Sequence, residues 1–67
     1  MLTLRIPDMS CGHCVRTIDG AVRAVDGGAS IEADLAAHLV KVRSDADETT
    51  LRRAIAEAGY GNEKVTT

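Results

Sequence analysis

Residues 2–15 read Leu-Thr-Leu-Arg-Ile-Pro-Asp-Met-Ser-Cys-Gly-His-Cys-Val, and two different periods meet inside them. Leu2, Leu4 and Ile6 alternate with Thr3 and Arg5, the period of two that marks a half-buried strand. Pro7 ends it, since proline has no N–H to offer a neighbouring strand. From Val15 the spacing changes. Ile18, Val22 and Val25 recur at helical intervals with Arg16, Asp19, Arg23 and Asp26 outside them, up to a stop at Gly27-Gly28. This predicts an amphipathic helix of about three to four turns. Ser10 is its expected cap, with Gly12 as rival. Between strand and helix lie the chain's two cysteines, as Cys11-Gly12-His13-Cys14. Cys14 falls in the first turn, where unpaired backbone N–H groups and the helix dipole favour thiolate over thiol.

Downstream the same two periods repeat. Ala29, Ile31 and Ala33 alternate with polar residues, then Val40 and Val42 with Lys41 and Arg43, which predicts two strands joined through Leu35-Ala36-Ala37-His38. Asp45 to Asp47 offer caps for a second helix. Its inward stripe is Leu51, Ala54, Ile55 and Ala58, its terminator Gly59, and its outer face carries the pairs Glu48 with Arg52 and Arg53 with Glu57. A last strand fits Glu63 to Thr66. Strand, helix, strand, strand, helix, strand in one short domain over residues 1–67 implies an α+β, ferredoxin-like βαββαβ sandwich, two helices on a four-stranded antiparallel sheet.

Composition narrows the function. Apolar residues make up 45% of the 67, yet there is no Phe or Trp and only one Tyr, so Leu, Ile and Val must fill a small core. A net charge of −2 with interspersed signs points to no nucleic-acid partner and no anionic membrane. No apolar run is long enough to insert into a bilayer, and the N-terminus lacks a basic segment followed by an uninterrupted apolar one. The expected setting is the cytoplasm, where thiols stay reduced and a lone cysteine pair is not a structural staple.

Zinc sites, disulfide oxidoreductases and soft-metal carriers all use a CxxC pair. A closed zinc site wants four ligands, and here only His13 and His38 are left to join the cysteines; one lies inside the motif and the other in a remote turn. A thioredoxin-type site calls for a longer chain. Two thiolates without a third strong ligand suit Cu(I), a soft ion, and leave it open to an incoming thiolate. A thiol–disulfide redox module stays as the alternative class, and carriage of zinc, cadmium or mercury as the nearer rival.

Met9-Ser10-Cys11-Gly12-His13-Cys14 resembles the MxCxxC loop of heavy-metal-associated domains, and the element order over essentially the whole chain is that family's. Within the family, the stand-alone form is similar to bacterial copper chaperones. The resemblance implies a free-standing carrier, not an enzyme, that binds Cu(I) through Cys11 and Cys14. It would pass the ion to the metal-binding domain of a copper-transporting P-type ATPase by successive thiolate substitutions. It also implies that Tyr60, after the second helix, lies near the metal. Two positions depart from the pattern: Asp8 stands where many relatives have Gly before the Met, and His38 where relatives often have a turn Gly. Ser10 stands where zinc-preferring members place an Asp.

Around the cysteines, Met9 is expected to pack into the core in support of the loop rather than to ligate. His13 is a loop residue suited to modulating the thiolates, or to serving as a weak extra ligand in a metal-bridged homodimer. Tyr60 would hydrogen-bond a thiolate or screen the metal from water. His38 reads as a solvated turn residue, far from the metal. Arg16 and Arg23 form an exposed stripe that could meet an acidic partner.

Overall fold

The computed structural model describes residues 2–65. In chain order the elements are β1 (Leu2–Arg5), α1 (Gly12–Val25), β2 (Ser30–Asp34), β3 (Leu39–Arg43), α2 (Glu48–Glu57) and β4 (Glu63–Lys64). The strands form one antiparallel sheet in the order β2-β3-β1-β4. Register explains which face is apolar. Leu4 opposes Val40 and Leu2 opposes Val42, while on the other side of β3 Ile31 opposes Val42 and Ala33 opposes Val40. With a side-chain period of two, these positions share one face. Against it pack Ile18 and Val22 of α1 and Leu51 and Ile55 of α2; together with Leu4, Ile6, Met9, Ala29, Val40 and Val42 they form the buried core. Two helices on a four-stranded antiparallel sheet is the predicted ferredoxin-like sandwich.

Helix α1 departs from expectation at both ends. Its N-cap is Cys11, in extended conformation and without a side-chain capping bond, so neither Ser10 nor Gly12 fills that role. At the other end Asp26 is already extended, with φ −143°, and neither following glycine adopts positive φ. The stop comes from Asp26 itself. Its carboxylate accepts from Gly28 N–H at 3.0 Å and from the Ser44 hydroxyl at 2.6 Å, which folds the chain into a turn and ties it to the end of β3.

Helix α2 follows its sequence signals more closely. Asp47 caps it, with Oδ2 accepting from Thr50 N–H at 3.3 Å. Gly59, at φ +104°, closes it. Gly59 N–H reaches Ala56 O at 3.0 Å and Tyr60 N–H reaches Ile55 O at 3.2 Å, the paired bonds of a Schellman motif. That motif turns the chain so that Tyr60 packs back on the core. Glu48 meets Arg52 at 4.0 Å and Lys64 at 2.9 Å, whereas Arg53 and Glu57 form no ion pair among the described residues. Strand β4 is shorter than predicted. Val65 N–H still donates to Thr3 O at 2.9 Å, and Thr66 lies outside the described residues. No helix among the described residues is long and apolar enough to cross a membrane.

Candidate metal centre

The turn after β1 delivers the cysteines. Met9 N–H donates to Ile6 O at 3.0 Å, closing Ile6 to Met9 into a tight bend, and the Met9 side chain is fully buried beneath it. Anchored by Met9, the chain rises to the surface at Ser10 and Cys11, and α1 begins at Gly12. Cys11 is exposed and Cys14, in the first turn, is half-buried. Their sulfurs stand 3.5 Å apart. No disulfide joins them, and the Cys14 sulfur also lies 4.0 Å from Asp8 O. Thus the backbone of Asp8, not its carboxylate, is what meets the pair.

The two thiols are unequal. Cys14 is drawn down from the ordinary 9.0 to about 7, first by the Tyr60 hydroxyl, then by the Ser10 backbone and by Cys11. Partial burial works the other way and is outweighed. Tyr60 moves reciprocally: the Cys14 sulfur and desolvation raise its phenol above the ordinary value, while Thr17 acts in the opposite sense. A phenol held protonated beside an easily ionised thiol is a donor for the thiolate. Thr17 also fixes the first turn, its hydroxyl donating to His13 O at 3.1 Å.

The structure thus pairs Cys11 with Cys14, sets Tyr60 where its hydroxyl acts on Cys14, buries Met9 in the core and leaves His13 exposed. Among the described residues, no group of three or more His, Cys, Asp and Glu side chains gathers to hold an ion. His38 requires a correction. Expected as a solvated turn residue, it is instead half-buried, and its Nδ1 lies 2.9 Å from Met9 O, in the bend that leads to the cysteines. The chain folds the β2–β3 turn over the Ile6–Met9 bend, a contact across 29 residues that local pattern does not encode.

Arg52 and Asn62 were also missed. Arg52 Nε donates to Asn62 Oδ1 at 3.0 Å and its Nη2 to Asn62 O at 3.2 Å; Asn62 Nδ2 returns bonds to Arg52 O and Tyr60 O at 3.1 and 3.2 Å. This clamp holds the segment that carries Tyr60.

Residues 3–61 match the model of the heavy-metal-associated domain, with the CxxC pair at the start of α1. The chain belongs to that family. Among its relatives, the copper chaperone CopZ of Bacillus subtilis is 36% identical over 61 residues, which is 87% of this chain and 88% of that one. The copper-transporting ATPase 2 of Rhizobium meliloti is 40% identical over 57 residues, 82% of this chain but 7% of that much longer protein. The solved structure of the copper chaperone Atx1 from Synechocystis superposes with a TM-score of 0.91 at 35% identity, covering 94% of this chain and all of the other. As a heavy-metal-associated domain, the chain owes its site to one short loop. Cys14 and Thr17 belong to the first turns of α1, and Tyr60 and His38 reach the loop from later in the chain.

Proposed function

We propose that this chain is a cytoplasmic copper(I) chaperone, a carrier and not an enzyme, that binds one Cu(I) through Cys11 and Cys14. The observation that carries the reading is the pair of sulfurs at 3.5 Å, one exposed and one half-buried and acidified, at an open helix start. Soft thiolates select soft ions, and a tetrahedral zinc site wants ligands this loop does not gather. With metal–sulfur bonds of about 2.3 Å, as in zinc thiolates, a near-linear S–M–S unit spans about 4.6 Å. The sulfurs therefore separate on binding, and Cys11, exposed and uncapped, is the side chain free to swing.

Handover follows from the same asymmetry. A thiolate of the acceptor adds to the bound Cu(I), the Cys11 thiolate leaves and takes up a proton, and a second acceptor thiolate then replaces Cys14. Copper stays Cu(I) throughout. The acceptor is the metal-binding domain of a copper-transporting P-type ATPase. A match between this chain and a small part of such an ATPase supports that choice; an acceptor with a thiolate pair of its own would make exchange nearly thermoneutral.

Anaerobic titration of the reduced protein with Cu(I) and, separately, Zn(II), each against a colorimetric chelator, tests the reading. One Cu(I) per chain, lost in Cys11→Ser, Cys14→Ser, with far weaker zinc capture, is the expected result. One Cu(I) per two chains would instead indicate a metal-bridged homodimer, and preference for zinc would overturn copper as the cargo. The lowered Cys14 pKa also suits a thiol–disulfide module. That reading predicts catalysed insulin reduction without metal, where the carrier shows none above a dithiol control.

A further inference from the structure

Three hydrogen bonds close a ring beneath the cysteine loop. Ile6 N–H donates to His38 O at 2.7 Å, the His38 ring nitrogen Nδ1 meets Met9 O at 2.9 Å, and Met9 N–H donates to Ile6 O at 3.0 Å. Because the Met9 partner is a carbonyl, which only accepts, Nδ1 carries the hydrogen. The Ile6–His38 bond extends the β1–β3 ladder one step past the Arg5–Leu39 pair, and the ring nitrogen carries the tie on to Met9, beyond the reach of strand pairing. The tie ends two residues before Cys11, so it is the last fixed point of the loop before the first sulfur.

His38 also has φ 56°, the only positive value among the described non-glycine residues. That left-handed conformation is strained for a non-glycine residue, and glycine would adopt it freely. Backbone strain of this kind persists where surrounding contacts over-determine it. What the imidazole adds, and glycine lacks, is the bond to Met9. We propose that His38 is a positioning residue for the cysteine loop: its ring holds the Met9 carbonyl, and so limits how freely the Ser10–Cys11 segment moves when metal enters and leaves. The proposal rests on the carrier reading only for its last step. The restraint itself is a property of the metal-free chain.

Two substitutions separate the ring from the backbone. His38→Gly removes the bond and relieves the strain, so the fold is retained. His38→Asn keeps a donor where Nδ1 stands on a residue type that tolerates the left-handed region. Amide hydrogen exchange of the metal-free protein is the readout, followed at Ile6 and Met9, whose N–H groups are bonded within the ring, and compared with Val40 and Val42 of β3. In His38→Gly these two amides exchange about five- to tenfold faster, the factor that one net hydrogen bond represents, while those of β3 hold; His38→Asn restores the parent rates. Unchanged exchange at Ile6 and Met9 in His38→Gly, or an equal rise in β3, overturns the proposal. In a second arm, Cu(I) release to the chelator quickens in His38→Gly and not in His38→Asn. A loosened loop with unaltered release overturns the role in metal exchange. If the parent itself binds no Cu(I), the carrier reading fails and the exchange data still decide whether His38 restrains the loop.

Discussion

At the scale of single residues, the site turns on Cys14 and Tyr60. The Tyr60 hydroxyl is the largest influence holding the Cys14 thiol near 7, and Cys14 in turn keeps the phenol protonated. Removing that donor in Tyr60→Phe moves the Cys14 pKa upward, toward the ordinary 9.0. In a Cys11→Ser background, where one thiol titrates, alkylation at pH 7 slows by about three- to fivefold, the loss of thiolate being partly offset by its greater nucleophilicity. An unchanged pH profile would exclude Tyr60 as the acidifying group. The same shift bears on stability. Between about 7 and 9 the native state holds this thiol deprotonated while the unfolded chain still binds the proton. The metal-free protein therefore gains stability as pH rises through that window and loses the contribution as pH falls through 7. Met9 answers a different question from its neighbours. It is fully buried, so its place in the loop is that of an anchor in the core.

At the scale of elements, the ends of the helices matter more than their middles. The Schellman turn after α2 fixes where Tyr60 sits, and it requires φ +104° at Gly59. A Cβ there would meet nothing within 4 Å, so Gly59→Ala is penalised by backbone strain and not by collision. The expected cost is about 1–2 kcal/mol, seen as a fall in Tm of several degrees for a domain of this size. Because the turn also aims Tyr60, the Cys14 pKa should rise with it. A variant that melts lower but keeps the parent thiol titration would uncouple the turn from the site. These elements were largely legible in the sequence. Alternation placed β1, β2 and β3, helical spacing placed α1 and α2, and Asp47 and Gly59 marked the limits of α2 with the residue types that those positions need. The spacing of Cys11 and Cys14 disclosed the candidate site because both sulfurs lie within one stretch of chain. His38 on Met9 and Asn62 on Arg52 were not legible, for the same reason reversed. Each is a polar contact between distant segments, and a histidine in a turn or an asparagine before a strand carries no local sign of its partner. The end of α1 was misread because Gly27-Gly28 is a generic stop, while the actual device, Asp26 held by Ser44, spans 18 residues.

At the scale of the whole molecule, the cysteine loop sits at one end of the sandwich, and α1 leads away from it with Arg16 and Arg23 exposed. These two arginines are not equivalent. Arg23 is tied to Asp19 at 3.0 Å and stands seven residues, about 10 Å of helix, farther from the cysteines. Arg16 enters no ion pair among the described residues and lies one turn beyond Gly12. A cation so placed attracts an acidic acceptor surface during encounter without touching the metal, which makes its contribution one of rate rather than of affinity. Arg16→Glu should therefore leave Cu(I) affinity unchanged and slow transfer to an acceptor domain several-fold at low ionic strength. The deficit shrinks as added salt shortens the screening length below about 10 Å. Arg23→Glu should slow transfer less. Stopped-flow transfer at two salt concentrations, with chelator competition run in parallel, checks all three statements. Equal rates for Arg16→Glu and parent would place the docking surface elsewhere, and a fall in Cu(I) affinity would mean that Arg16 acts on the thiolates themselves.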